Sequence, residues 1–171
     1  ERAEGNEAPI SYLKRIEADI DEGLPYAKAR SRLTALITSL GDAVPAKDAR
    51  SLRGRLDEEQ AVRAERELAS AVETARGLED RGEYDTAASM INSVKSRFSD
   101  GPWLEATGAA KIDAALENTA KRRAAGERKL REDQIAKART AFSDGDLTAA
   151  TAHLKGHESW PKSVKPAAVE L

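Results

Sequence analysis

The chain has 171 residues, enough for one domain, and its 28 basic and 30 acidic side chains leave a net charge of -2. That balance excludes a general attraction to nucleic acid or to anionic membranes and leaves only a local patch able to provide one. Cysteine is absent, which excludes disulfides, zinc–thiolate sites and thiol catalysis. No apolar run approaches the roughly 20 residues that cross a bilayer, so we expect no membrane insertion.

The spacing of apolar residues predicts an all-α fold, because they recur every three or four positions along nearly the whole chain. The polar residues 1–9 predict a linker, and residues 10–171 predict a helical domain that belongs to a larger protein. Helices are predicted over residues 10–21, 25–40 and 84–98, with glycine or proline at their ends. There are 32 alanines against seven aromatic residues, so the core should be thin and built largely from small side chains.

Two further stretches, residues 46–81 and 103–142, contain no proline, and each predicts one long helix or two collinear helices. A single helix over residues 46–81 would be about 54 Å long. A compact domain of this size is only about 40 Å across. Either the long helices break, with Gly54 and Gly126 as the candidate positions, or the molecule is elongated.

An internal repeat aligns residues 75–91 with residues 138–154 at a constant offset and without a gap. A weaker third copy surrounds Gly23 and Tyr26, and each copy leads to a loop marked by proline. The structural repeat positions in the two stronger copies are a turn glycine, the first residue after the turn, a small residue and a large apolar residue. They are Gly82, Tyr84, Ala87 and Ile91 in one copy and Gly145, Leu147, Ala150 and Leu154 in the other.

These positions resemble those of the tetratricopeptide-like helical repeats, in which a glycine, an acidic or amide residue and an aromatic residue or leucine precede an alanine and then a large apolar residue. The resemblance covers about 15 to 20 residues of each copy, and the period near 60 residues departs from the family period of about 34. It implies helical hairpins, centred near residues 23, 82 and 145, and a tendency to bind proteins. We therefore expect an elongated, α-solenoid-like repeat with two long helices.

The segment Asp-Gly-Asp-Leu-Thr at residues 144–148 is typical of the nucleophile loop of a haloacid-dehalogenase-type phosphatase. Such a loop needs a buried strand immediately before it, whereas the preceding residues predict a helix. In the aligned copy Arg81 stands in place of Asp144, and Asp146 is better interpreted as a helix N-cap or first-turn acid. We expect no catalytic residue, no cofactor and no enzymatic activity.

His153 and His157 are four residues apart and on one helix could share a face that binds zinc. A zinc site needs three or four protein ligands, and only Glu158 lies nearby, so we expect solvated surface histidines and no metal site.

Residues 120–131 form a basic patch with a single acid, Glu127. Its six cations are Lys121, Arg122, Arg123, Arg128, Lys129 and Arg131. The patch could bind phosphates or an acidic partner. It lacks aromatic residues for base stacking, and we do not expect nucleic acid. Two other interpretations stay open: a solvated helix face, or pairing with the acidic residues 57–67 across the two long helices.

Trp103 and Trp160, each beside a proline, predict plugs between successive helices, or alternatively anchors for a bound peptide. The leading hypothesis is a non-enzymatic helical-repeat module that binds another protein as a scaffold. The alternatives are a self-associating structural subunit and a polyanion or nucleic-acid binder that uses the basic patch.

Overall fold

The structure is a computed structural model that describes residues 8–160, and within that range it consists of helices and turns with no β-strand. The six α-helices of this range are α1 (Pro9–Asp21), α2 (Tyr26–Leu40), α3 (Val44–Glu79), α4 (Tyr84–Arg97), α5 (Ala109–Ser143) and α6 (Leu147–His153). A π-helical turn, Leu104–Gly108, leads into α5, and a 3-10 turn, His157–Ser159, follows α6. The all-α prediction is confirmed for these residues. None of the helices between residues 8 and 160 combines the length and apolarity needed to cross a membrane.

The two long helices are continuous, α3 over 36 residues and α5 over 35. Gly54 and Gly126 lie inside them without interrupting either one. Pro45 does not disturb α3 because it occupies the first turn, where the backbone N–H has no helical partner. At 1.5 Å per residue α3 is about 54 Å long, which sets the minimum length of the molecule in that direction.

Each long helix packs against the short helix before it and the short helix after it: α3 contacts α2 and α4, and α5 contacts α4 and α6. The first core lies between α1, α2 and the first half of α3, and its buried residues are Ile16, Leu33, Leu36, Ala49 and Leu52. The second core lies between the second half of α3, α4 and the start of α5, and is centred on buried alanines with Leu68, Ile91, Val94 and Ile112. The small side chains allow the helices to approach closely but bury little apolar area each, so both cores are thin.

The three hairpin turns have the same backbone arrangement, with a glycine in the left-handed region and a hydrogen bond that spans five residues. The glycines are Gly23 (φ 97°), Gly82 (φ 78°) and Gly145 (φ 78°). The bonds run from the N–H of Leu24 to Asp19 (2.8 Å), of Glu83 to Leu78 (2.9 Å) and of Asp146 to Ala141 (2.9 Å). Glycine tolerates this positive φ without the steric cost of a Cβ, which explains why the turns fall at these residues.

Candidate interaction groove between α3 and α5

A groove of about 490 Å³ lies between the second half of α3 and the first half of α5. Apolar side chains of all three helices α3, α4 and α5 form part of its lining: Val72, Ile91, Ala114 and Ala115. Its basic side chains are Arg76, Lys111, Lys121 and Arg122, and its one acidic side chain within residues 8–160 is Glu79. The groove therefore combines an apolar surface with an excess of positive charge.

Ion pairs at two levels set the register of the groove walls. Lys111 Nζ lies 2.5 Å from Glu65 Oε1, and Arg122 lies 3.2 Å from Glu79 Oε2. The later residue on α3, Glu79, pairs with the later residue on α5, Arg122, so the two helices run parallel. The short helix α4 packs against both.

The carboxylate of Glu79 is fixed at the edge of the groove. Glu79 is only 7 % exposed, and its Oε1 accepts a 2.6 Å hydrogen bond from the Thr119 hydroxyl. Its Oε2 faces the half-exposed Arg122 but accepts no well-directed hydrogen bond. Burying a carboxylate is costly unless it is hydrogen-bonded or paired with a cation. Thr119 and Arg122 therefore stabilise the buried Glu79, which in turn holds these two side chains in place. Sequence reasoning missed this group because Glu79 and Thr119 are far apart in the chain and no local pattern marks either.

At the other end of the groove Glu65 accepts hydrogen bonds from Lys111 Nζ (2.5 Å) and from Trp103 Nε1 (2.7 Å). The bond from Lys111, followed by that from Trp103, holds the pKa of Glu65 below its ordinary value. Trp103 is buried and meets Phe98 edge to face, with the ring centroids 5.9 Å apart. The structure thus places Trp103 at the junction of α3, α4 and α5, where the sequence predicted a plug.

Most cations of the groove already have a carboxylate partner. Lys111 and Arg122 are paired as described, and Lys121 lies 2.7 Å from Glu117. Arg76 is exposed, and no hydrogen bond or ion pair reaches its side chain from any residue of the described range 8–160. Its guanidinium, beside the apolar Val72, is the group of the groove available to an incoming anion.

The predicted basic patch is not one surface. Only Lys121 and Arg122 line the groove. Arg123 pairs with Asp85 (2.8 Å) and Glu127 (3.0 Å), which together raise the pKa of Arg123, the hydrogen bond to Glu127 being the largest cause.

The remaining cations of the patch lie further along α5. Arg128 pairs with Glu132 (2.7 Å), and Lys129 is exposed. Arg131 donates a hydrogen bond to Gln134 (2.8 Å) and lies 5.2 Å from the Trp160 ring centroid. The patch therefore splits around the helix, and much of its charge is balanced locally.

The suggested pairing of the acidic residues 57–67 with the basic patch is wrong. Asp57 accepts hydrogen bonds from Tyr26 (2.6 Å) and Arg30 (3.0 Å) of α2, and Glu67 accepts one from Arg97 (2.7 Å), which follows in α4. The reason is the parallel register of the long helices. Glu79, at the end of α3, is already level with Arg122, so much of the patch extends past α3.

The repeat positions are placed as follows. Gly82 and Gly145 form the turns, Ala87 and Ala150 are buried, Ile91 is buried, and Tyr84 and Leu154 are half-buried. Leu147 departs from this pattern, since 61 % of it is exposed.

The aspartates of the phosphatase-like segment lie in the exposed turn between α5 and α6. Asp146 is the N-cap of α6 and accepts a 2.9 Å hydrogen bond from the N–H of Ala149, in agreement with the capping interpretation. α6 ends at His153 and Gly156 is left-handed, so His153 and His157 do not share one helix. Within residues 8–160 no group of three His, Cys, Asp or Glu side chains is arranged to hold a metal ion.

No known protein family, no curated protein and no solved structure matches the chain. The groove and the packing around it are therefore the features that bear on function.

Proposed function

We propose that this chain is a non-enzymatic helical-repeat module that binds another protein, and that the groove between α3 and α5 receives an acidic, partly apolar segment of that protein. The observation that carries the proposal is the combination of Arg76, exposed and without a partner in the range 8–160, with the apolar surface of Val72, Ala114 and Ala115. A guanidinium donates in a fork that matches a carboxylate, and the apolar surface adds burial of the flanking side chains.

The open shape of the groove, rather than its volume, favours a segment of chain over a small metabolite. It is bounded by two long parallel helices, is open to solvent and has a volume of about 490 Å³, enough for a few side chains. Exposed ion pairs contribute at most about 1 kcal/mol each, so specificity needs the apolar contacts as well as the charges.

The packing supports the repeat part of the proposal. The three turns share one hydrogen-bond arrangement, and each long helix is shared by two successive hairpins. Successive hairpins that share a helix extend in one direction, which is the principle of an α-solenoid and provides a long binding surface.

The test uses three fluorescent probes of equal length: a peptide of alternating Glu and Leu, the same peptide with Lys in place of Glu, and single-stranded DNA. Fluorescence anisotropy should show binding of the acidic peptide that weakens as the salt concentration rises, and no binding of the basic peptide. If DNA binds more tightly than the acidic peptide, the polyanion alternative is favoured instead. Equal affinity for the two peptides, or none for either, would contradict the proposal.

A further inference from the structure

Two polar side chains of the groove between α3 and α5 have no partner within residues 8–160, and one lies on each wall. They are Arg76 on α3 and Asn118 on α5, both exposed. The other polar side chains of the lining are already bound: Glu79 by Thr119 and Arg122, Lys111 by Glu65, and Lys121 by Glu117. The groove therefore leaves one guanidinium and one carboxamide available to a bound molecule.

Arg76 and Asn118 face each other at the same level of the groove. The ion pair between Glu79 and Arg122 joins the two helices across it, at 3.2 Å. Arg76 precedes Glu79 by three residues on α3, and Asn118 precedes Arg122 by four residues on α5. Each therefore lies about one helical turn before the ion pair. Because α3 and α5 run parallel, the two side chains are level with one another on opposite walls.

One further turn toward the start of the two helices, the groove is apolar. Val72 lies four residues before Arg76, and Ala114 lies four residues before Asn118. The polar level and the apolar level are therefore about 5 Å apart. An extended chain advances about 3.3 Å per residue, so an acidic residue and an apolar residue close to it in sequence can occupy the two levels together.

A carboxamide both donates and accepts hydrogen bonds, and so does the main chain of each residue other than proline. In an α-helix the main-chain N–H and C=O groups are bonded internally, which leaves them unable to bind a side chain. We propose that Asn118 binds the main-chain N–H and C=O of an acidic residue of the partner segment, held in an extended conformation, while Arg76 binds the carboxylate of that residue. This proposal rests on the proposed function and adds the conformation of the segment and the contact that recognises it.

The test compares the fluorescent Glu-Leu peptide with a second peptide of the same sequence in which the main-chain nitrogen of each Glu is methylated. Methylation removes the N–H donors but keeps every side chain and charge. Asn118→Leu should weaken binding of the unmethylated peptide about tenfold, because it removes both hydrogen bonds to the main chain. The matched control is Asn92→Leu, at an exposed position on α4 outside the groove lining, and it should leave binding unchanged.

The methylated peptide should bind the parent chain more weakly than the unmethylated peptide does. Asn118→Leu should then weaken binding of the methylated peptide by less than about twofold, because the contact that the substitution removes is already lost. A helical segment would show no such coupling, since its main chain does not reach Asn118.

Three results would overturn the proposal: no loss of affinity in Asn118→Leu, an equal loss in Asn92→Leu, or a tenfold loss with the methylated peptide as well. In each case the proposed function stands if Arg76→Glu still weakens binding of the unmethylated peptide. Absence of binding to the parent chain contradicts both. Asn118 is exposed and leucine is a good helix former, so Asn118→Leu should retain the helical circular dichroism of the parent chain.

Discussion

Thr119 on α5 donates a 2.6 Å hydrogen bond to the buried carboxylate of Glu79 at the end of α3. Few direct contacts join these two long helices, which are held together mainly through α4. The bond therefore fixes the register of the groove walls, and with it the position of Arg122.

The first prediction concerns this bond. Thr119→Val should lower the free energy of unfolding by about 1 to 3 kcal/mol, because it leaves the buried Glu79 without its closest donor. The same change at Thr140, which is exposed and donates only to the carbonyl of Ala136 in its own helix, should cost less than about 0.5 kcal/mol. Urea denaturation of the two variants measures the difference, and equal losses would show that Glu79 does not need Thr119.

The second prediction uses two glycines inside helical segments. A Cβ added to Gly108 would come within 2.6 Å of the Trp103 ring, whereas one added to Gly54 would meet open space. Gly108→Ala should therefore destabilise the protein by about 1 to 3 kcal/mol through overpacking. Gly54→Ala should stabilise it by about 0.5 to 1 kcal/mol, since alanine is the better helix former. Thermal melts should shift in opposite directions, and a shared direction would contradict the assigned position of Trp103.

The third prediction concerns acid stability. Lys111 and Trp103 lower the pKa of Glu65 in the folded state, so its contribution to stability is present above its ordinary pKa of 4.5 and is lost as the pH falls through the lower folded value. Glu65→Gln should therefore be less stable than the parent chain at pH 7, and the difference should shrink as the pH falls below 4.5. Urea titrations across this range measure it. Glu59→Gln, at an exposed position on the same helix, is the control, and at pH 7 its free energy of unfolding should stay within about 0.5 kcal/mol of that of the parent chain.

The fourth prediction separates the geometry of the third hairpin from the phosphatase-like sequence. Ala150 is 7 % exposed, so Ala150→Leu should overpack the hairpin and cost about 1 to 3 kcal/mol. Asp144 is exposed, and Asp144→Asn should leave both stability and peptide binding close to those of the parent chain. Thermal melts in which only the aspartate change mattered would reverse this interpretation.

The local elements of the fold could be predicted because they depend on neighbouring residues. Apolar spacing indicated the short helices, and the glycines before Tyr84 and Leu147 indicated the turns, since only a positive φ closes them. Sequence alone did not decide whether α3 and α5 would be continuous. A glycine inside a helix costs about 1 kcal/mol, which packing on both sides can offset.

The groove could not be predicted because it depends on the register between α3 and α5. That register brings Glu79 to Thr119 and Glu65 to Lys111. The spacing of apolar residues within one helix does not predict how that helix is aligned with another. The six cations of residues 120–131 looked like one patch because they are adjacent in sequence, but a helix distributes consecutive residues around its axis. Arg76, the cation that the groove leaves without a partner in the described range, lies outside that run.

Binding of the Glu-Leu peptide to two charge-reversal variants of α3 tests the proposed function most directly. Arg76 lines the groove, whereas Arg66 is exposed and lies on a different surface of the same helix, lined by Arg63 and Val62. Both substitutions, Arg76→Glu and Arg66→Glu, change the net charge equally, so non-specific attraction is matched. We predict that Arg76→Glu weakens binding about tenfold, equivalent to about 1.4 kcal/mol, because the reversal removes one attraction and adds a repulsion of similar size, and that Arg66→Glu leaves binding nearly unchanged. Equal weakening by the two variants would contradict the groove as the binding site.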